Sequence, residues 1–395
     1  MRLIDVCEFI VDCPHSTSPD EGTGFPLIRT PNIGKGRLIL ENVHKVSEKV
    51  YHARTSRAVP QDDDLIFARE APAGNIAIIK NGAKVCLGQR TVLIRPDRTK
   101  VFPDFLVYYM LAPQQQHNLL KFASGATVPH VNLPDIRNLH INLPSYSTQQ
   151  RIAGILSAYD DLIENNQRQI QLLEEAAQRL YKEWFVDLRF PGHENTRIVD
   201  GVPEGWERRK IDDICNIVGG ATPSTKIKEN YEGGNILWAT PTDITKNKDI
   251  VLLDTEKKIT QQGLRSCAAK ILPPYTILMT SRASIGFFAV CEKELCTNQG
   301  FISCIPHKKY MTFYLLYNLI SRKEEIIGKS KGSTFLEISK STFKNFEIIE
   351  PDMDTLYKFY SIIFPFIKKI EVTKNAIRHI EKTKKILLPK LISHK

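Results

Sequence analysis

Between Ile152 and Trp184 the apolar positions recur in alternating steps of four and three: Ile152, Leu156, Tyr159, Ile163, Asn166, Ile170, Leu173, Ala177, Leu180, Trp184. That alternation is the rhythm of a heptad and predicts a helix with an apolar seam in need of a partner. A second seam of the same rhythm lies 207 positions further on: Phe359, Ile363, Phe366, Ile370, Thr373, Ile377, Ile380, Lys384, Leu387, Leu391. One chain thus carries two copies of one helix, and the repeat supplies the partner. Ile163, Asn166, Ile170, Leu173 and Leu180 are the expected interface on one copy, with Ile370, Thr373, Ile377, Ile380 and Leu387 on the other. Asn166 and Thr373 occupy one rung, and a lone polar group at a seam position fixes register at some cost in stability. Lys384 is the seam's one lapse. Pro365 aligns with Ala158, and proline suits the first position of a helix but not its interior. A short helix from Thr148 to Leu156, followed by the long one, is therefore expected. From Tyr159 to Trp184, at ~1.5 Å per residue, the long helix spans ~38 Å, close to the ~34 Å of one turn of B-DNA.

What precedes the helices repeats as well. Ile28 to Asn32 answers to Trp238 to Thr242, Cys86 to Gln89 to Cys296 to Gln299, Pro96 to Pro306, Ser124 to Thr127 to Lys331 to Thr334, and Pro144 to Pro351. Short β-branched runs bounded by turn residues predict strands at Asp64–Arg69, Ile76–Lys80 and Thr91–Arg95, and at Thr276–Ser281, Phe287–Cys291 and Phe301–Ile305. Aromatic and aliphatic residues at helical spacing predict helices at Phe105–Leu111 and Phe313–Ile320. The expected fold class is α+β, a tandem duplication of a mixed α/β domain followed by a long helix. Domains are expected at 1–147 and 191–351, each followed by a helical spacer, 148–190 and 352–395. The second domain opens with Val202-Pro203-Glu204-Gly205-Trp206, whose counterpart in the first would fall before Met1.

At 395 residues the chain can hold two domains, each with its own core. No apolar run approaches the ~18 residues needed to span a bilayer, and Met1 to Asp5 lacks the start of a secretory signal. The expectation is a cytoplasmic protein with no membrane partner. Eight cysteines without a Cys-x-x-Cys pair, none beside a His at ligand spacing, predict reduced, buried thiols and no metal site. The net charge of +10 is distributed as +3 over 1–145, −3 over 146–200, +4 over 201–351 and +6 over 352–395. Two basic lobes suit a polyanion, while a mildly acidic middle helix suits contact with protein.

The parts of a nucleic-acid enzyme are missing. Leu272-Pro273-Pro274-Tyr275 resembles the Asp/Asn-Pro-Pro-Tyr loop of amino-methyltransferases, but Leu272 stands where a polar residue must accept from the target amino group. No glycine-rich turn for a methyl donor accompanies it, and no Gly-x-x-x-x-Gly-Lys-Ser/Thr occurs. Glu256-Lys257-Lys258 lacks the upstream Pro-Asp of a metal-dependent nuclease, Asp62-Asp63-Asp64 reads as a turn entering a strand, and neither His130 nor His140 has a Ser or Cys beside it. What remains is a binding protein with two similar heads, each able to engage one of two separated stretches of DNA. Direct readout uses Arg, Lys, Gln and Asn at base edges, with other basic groups on phosphates. The candidate contacts are Arg29, Arg69, Gln89 and Arg90 in the first head and Ser281, Arg282, Gln299 and Lys331 in the second.

Four segments carry a resemblance that extends over essentially the whole chain: Gln149-Gln150-Arg151-Ile152-Ala153-Gly154-Ile155-Leu156, Asp160-Asp161-Leu162-Ile163-Glu164-Asn165-Asn166, Leu180-Tyr181-Lys182-Glu183-Trp184-Phe185-Val186-Asp187 and Val202-Pro203-Glu204-Gly205-Trp206. With them the chain resembles the specificity subunit of a type I restriction-modification system. The resemblance implies two target recognition domains, each reading half of an interrupted site in double-stranded DNA, and an antiparallel coiled coil between them, in which Asn166 and Thr373 should approach each other. It implies a non-catalytic subunit on which two copies of a modification (methyltransferase) subunit dock, together with restriction (translocase/nuclease) subunits. S-adenosylmethionine, ATP and Mg are then expected only on those partners. The alternatives are a self-sufficient DNA adenine methyltransferase and a coiled-coil scaffold without sequence-specific binding. The C-terminal copy of the helix departs from the pattern, lacking the Gln-Gln and Asp-Asp positions.

Overall fold

The computed structural model describes residues 1–121, 130–332 and 336–393. Of the aligned segments, Ser124–Thr127 and Ser333–Thr334 lie outside the described residues. Contacts divide the chain into two compact units, one of Met1–Glu164 with Arg378–Lys395 and one of Asn165–Ile377. Each of the two long helices contributes one end to one unit and the remainder to the other.

In the first unit a five-stranded sheet is built from β1 (Cys7–Asp12), β2 (Lys35–Arg37), β3 (Leu65–Ala68), β4 (Ile76–Ile78) and β5 (Thr91–Pro96), in the order β1-β5-β3-β4-β2. Every pairing is antiparallel except β2 with β4. The inner strand β3 reads Leu-Ile-Phe-Ala and is buried at all four positions, as expected of a strand covered on both faces. One face receives the helix α1 (Pro103–Leu111) and the start of the long helix α2 (Tyr146–Tyr181), with Phe105, Tyr108, Ile152 and Leu156 in a common core.

The second unit repeats the plan. A short strand β6 (Glu207–Lys210) precedes β7 (Cys215–Gly219), β8 (Ile277–Thr280), β9 (Phe288–Ala289) and β10 (Phe301–Pro306), whose sheet has the order β7-β10-β8-β9. The helix α3 (Thr312–Ser321) follows, then β11 (Glu347–Glu350), which pairs with β6, and the second long helix α4 (Met353–Ile392). Each unit also has a small three-stranded sheet with one parallel pairing, Leu27 opposite Cys86 in the first and Trp238 opposite Cys296 in the second. That register matches Leu27 to Trp238, one residue away from the alignment read in the sequence. The strands and helices expected from periodicity are present in both units.

The expected break near Ser157 is absent. α2 runs for 36 residues and α4 for 40, with Pro365 inside α4. An interior proline costs about 3 kcal/mol or more, but here both the ring and Ser361, whose carbonyl loses its donor, face solvent. Water can take the freed carbonyl, while Phe359, Ile363, Ile367 and Ile370 are fully buried on the opposite face and hold both halves in line. The irregular turn lies instead after α2, where Lys182–Val186 widens into a π-helix and Trp184 is buried.

The second unit also shows how the helices pair. Phe359 packs against Tyr181 and Trp184 at ring separations of 6.4 and 5.8 Å, and Thr373 meets Gln169. Positions rise along one helix as they fall along the other, so the pair is antiparallel. Two details of the seam differ from the heptad reading. Ile367 takes the fully buried position and Phe366 is half-buried, because a straight helix drifts from a 3.5-residue repeat and takes consecutive steps of four. The buried hydroxyl of Thr373 donates to Gln169 Oε1 at 3.2 Å rather than to Asn166, since Gln169 lies one turn along the same face. Ile170 and Ile370 are buried; Ile163, Asn166, Leu173, Leu180, Ile377, Ile380 and Leu387 are half-buried.

Candidate nucleic-acid interface

The candidate contacts of the first unit come together at one end of its sheet, where β1 and β3 finish and β5 begins. Arg69 follows β3 directly, and its amide donates to the carbonyl of Arg90 at 2.9 Å. Gln89 and Arg90 form the turn before β5, with Arg90 at φ +66°. Arg29 is adjacent through Gly88, whose amide donates to Ile28 O at 2.8 Å. A Cβ at Gly88 would lie 2.9 Å from both Arg29 Cγ and Ile28 O, so only glycine lets these two segments approach so closely.

The four side chains differ in their freedom. Arg69 is nearly buried and fully engaged: Nη1 donates to Asp12 Oδ2 at 2.6 Å, Nε to Val131 O at 3.0 Å, and Nη2 lies 2.7 Å from His130 Nε2. Arginine has no acceptor, so His130 Nε2 accepts and its Nδ1 carries the proton, 3.5 Å from Glu70. Base reading by Arg69 does not fit this arrangement, because freeing the guanidinium would leave the half-buried Asp12 without its arginine partner. Arg90 is exposed and ion-paired with Glu70. Gln89 donates Nε2 to His15 O at 2.6 Å. Arg29 Nε is buried and has no hydrogen-bond partner among the described residues.

The second unit places its candidates at the equivalent end. Ser281, just after β8, is 3% exposed, its amide donates to Gly300 O at 2.8 Å and its carbonyl accepts from Ile338 at 3.0 Å. It supports the turn from within and cannot reach a base. Arg282 is exposed, 3.8 Å from Glu337, and Lys331 is exposed beside it through a bridge to the same residue. Gln299 accepts from the Thr222 hydroxyl at the surface. Each sheet end thus offers cations held by nearby acids, Glu70 in one and Glu337 in the other, beside a carboxamide, the composition suited to phosphates and base edges.

Residues that sequence reasoning missed brace these ends and seat each sheet on the helices. Asp12, Glu70 and His130 fix the arginines. On the helices, Asp160 of α2 accepts from Tyr108 OH at 2.7 Å and is ion-paired with Lys384 of α4. Burial, then the Asp160 charge, pushes the Tyr108 phenol well above its ordinary range. Gly36 in β2, at φ +108°, packs on this group, since a Cβ there would lie 3.1 Å from Asp160 Oδ2. Arg37 extends from the same strand to Asp161 at 2.9 Å and Glu164 at 3.6 Å. In the second unit Lys374 reaches Asp249 at 2.7 Å, and Glu174 accepts from the Ile250 amide at 2.7 Å. Burial raises the Glu174 carboxyl to about 7. The Asp160-Asp161 pair was visible in the sequence, but Lys384 lies 224 positions away and only the fold joins them.

The Leu272–Tyr275 turn is a surface turn anchored in the second unit at its two ends, with Pro273 and Pro274 exposed between them. Leu272 is buried, Tyr275 packs against Phe313 and Phe364, and its hydroxyl donates to Glu371 at 3.3 Å. No group of three or more potential metal ligands occurs among the described residues, and none of their helices is long and apolar enough to cross a membrane. All eight cysteines are free thiols.

Comparison with known proteins agrees with the duplicated plan. The family model for the type I restriction modification DNA specificity domain matches residues 1–175 and again residues 203–382. The chain belongs to this family. The type I restriction enzyme MjaIX specificity subunit of Methanocaldococcus jannaschii is 39% identical over 183 residues, which is 46% of this chain and 42% of that protein. The HindI specificity subunit of Haemophilus influenzae is 22% identical over 399 residues, covering 84% of this chain and 86% of that one. The crystal structure of a type I restriction-modification S subunit from M. genitalium covers the whole chain and 96% of its own with a TM-score of 0.62 at 16% identity. That likeness is one of fold.

Proposed function

We propose that this chain is the DNA-sequence-recognition subunit of a type I restriction-modification complex, each unit reading one half of a bipartite target. The observation that carries the reading is the repeated sheet end. Both units gather exposed cations and carboxamides there, and the two sets differ in identity, Gln89 and Arg90 in one and Arg282, Gln299 and Lys331 in the other. The same frame with different side chains suits two different half-sites, because phosphate contacts position a protein while base-edge contacts specify sequence. In this reading the antiparallel helices set the distance between the half-sites and dock the modification subunits, two copies in all. Methylation and cleavage, with S-adenosylmethionine, ATP and Mg, belong to the modification and restriction subunits, and the assembly works in the cytoplasm.

The test is methylome sequencing of a host carrying this chain with its modification subunit, where one bipartite motif is expected. Exchanging residues 1–145 for another recognition domain should change one half of that motif and leave the other. Arg282→Ala should weaken specific binding by about 1–3 kcal/mol if the side chain reads a base, with a smaller, sequence-indifferent loss if it holds a phosphate. Methyl transfer to DNA by the purified chain alone would falsify the assignment. Salt-dependent but sequence-indifferent DNA retention would favour a scaffold instead.

A further inference from the structure

The backbone bonds that frame the two sheet ends correspond one to one, so the side chains can be compared position by position. Arg69 donates its amide to Arg90 O and its carbonyl accepts from Val131 at 3.0 Å; Ser281 donates to Gly300 O and its carbonyl accepts from Ile338 at 3.0 Å. Gly74 donates to Ala68 O at 2.9 Å, as Gly286 does to Thr280 O at 3.0 Å. Glu70 therefore stands in the place of Arg282, His130 in the place of Glu337, and Arg90 in the place of Gly300.

At these positions the charges are reversed. In the first unit the loop after β3 supplies the acid, Glu70, with His130 Nδ1 at 3.5 Å and the Arg90 Nε ion-paired to it. In the second the loop after β8 supplies the cation, Arg282, whose Nε lies 3.8 Å from Glu337. Gly300 leaves no room for a counterpart of Arg90, because a Cβ there would lie 2.8 Å from Pro241 Cγ. Each unit thus ends in one outward arginine, taken from a different position of the same frame.

The two arginines are held alike. In both, Nε faces the carboxylate, and the side chains are 59% and 52% exposed. Among the described residues no group other than its acid partners either guanidinium. A guanidinium pinned at Nε presents its two terminal nitrogens as a fork, which matches the O6 and N7 acceptors of guanine in the major groove. The carboxylate behind the fork opposes the approach of a phosphate anion and leaves the hydrogen bonds to a neutral base edge available.

We propose that Arg90 and Arg282 each read a guanine, one in each half of the target, and that Glu70 and Glu337 are positioning residues that favour the base edge over the phosphate. The inference rests on the function proposed above.

The test uses the full chain with its modification subunit and duplexes carrying the bipartite motif found by methylome sequencing. Each guanine in turn is replaced by 7-deazaguanine, which pairs normally but lacks the N7 acceptor. One replacement in each half should weaken binding about tenfold or more. With Arg90→Ala or Arg282→Ala, the sensitive position in that unit's half should stop responding, while the other half responds as before and serves as the control for folding. Glu337→Gln should keep the response, raise affinity for unrelated DNA and steepen its salt dependence, since phosphates no longer meet the acid. A half without a sensitive guanine, or an arginine variant that weakens both duplexes equally and leaves the guanine response intact, overturns the assignment for that unit. Unaltered binding of Glu337→Gln to unrelated DNA overturns the role of the acid. If no bipartite motif appears, the proposed function fails and takes this inference with it; a motif whose guanines ignore both arginines sinks this inference alone.

Discussion

The two units seat the same strand-edge segment against the same pair of helices with opposite arrangements of charge. In the first, the segment supplies the cation, Arg37, and α2 supplies the acids, Asp161 and Glu164. In the second, the segment supplies the acid, Asp249, and the cation Lys374 comes from α4. The rungs diverge too. Asp160 and Lys384 form an ion pair in the first unit, whereas their repeat counterparts in the second, Ile367 and Ala177, are buried apolar residues. An apolar rung tolerates many partners; an ion pair of fixed polarity fits one. The difference indicates that each domain is matched to its own rung, at the expense of the interchangeability that a duplicated frame begins with.

The largest effect should come from breaking the first unit's pair. Asp160→Ala leaves the half-buried Lys384 without its anion and Tyr108 without an acceptor, and such losses run to about 3–5 kcal/mol. Hydrogen exchange at amides of the first unit, with urea unfolding, should show that loss and leave the second unit's amides unchanged. The sharper form is the double substitution Asp160→Ile with Lys384→Ala, which installs the second unit's rung. It should recover the part lost to the unpaired Lys384 charge, since well-packed apolar replacements of buried ion pairs are often neutral or stabilising, and leave the smaller cost of the Tyr108 hydroxyl, which still lacks its acceptor. Failure to recover would mean that the pair does more than fill the rung.

Next in size is Lys374→Met. Lys374 donates to Asn247 at 2.8 Å, to Asp249 at 2.7 Å and also to the Val251 carbonyl, and it is only 15% exposed. Removing it strands a half-buried carboxylate and should cost about 2–3 kcal/mol, read as faster exchange in the second unit. An equal effect in the first unit would contradict the idea that each seat serves its own domain.

These pairings also mark the limit of what the sequence discloses. The heptad alternation exposes both helices, and the 207-residue repeat exposes the partnership, because periodicity is a local property that packing seldom overrides over ten rungs. Pro365 misleads, since whether a carbonyl can turn to water depends on which face of α4 is covered. Lys384 reads as a lapse in the seam because Asp160 lies far along the chain. Arg69 and Ser281 have the residue types and repeat positions of DNA contacts, yet both are buried, and burial at the end of a sheet is set by loops whose course has no periodic signal. Arg90, Arg282, Gln299 and Lys331, on the same turns, remain exposed. Residue type and repeat position thus located the sheet ends, while the choice among neighbouring side chains belongs to tertiary structure.

Glu174 offers a comparison by pH. Burial raises its carboxyl to about 7 in the folded chain, above the ordinary glutamate value, so the folded state holds the proton more tightly than the unfolded state. Its contribution to stability is therefore complete below about pH 4.5 and is lost as pH rises through about 7. The full shift corresponds to about 3 kcal/mol, and solvent screening of this half-buried carboxyl reduces the expected weakening of the second unit over that interval to about 1–2 kcal/mol. Glu174→Gln keeps an oxygen for the Ile250 amide and removes the titration, so the difference between pH 5 and pH 8 should shrink. A variant as pH-sensitive as the parent would place the dependence elsewhere.

The smallest expected effect tests whether the polar rung is needed for register. The Thr373 hydroxyl, nearly buried, donates to Gln169, whose exposed side chain can turn to water. Thr373→Val keeps the shape and removes the donor without stranding a buried acceptor, so the stability cost should stay within about 0.5–1 kcal/mol. If the hydroxyl fixes register, the cost in stability and the effect on pairing separate: a cysteine pair across the two helices one turn away from Gln169 and Thr373, tested against one displaced by a further turn, should cross-link only in the native register in the parent helices, while Ile170→Ala should loosen both. If Thr373→Val leaves neighbouring cross-links as selective as before, register is set by the buried apolar positions Ile170, Ile367 and Ile370 together with the charged seats, and the polar rung is a tolerated substitution within them.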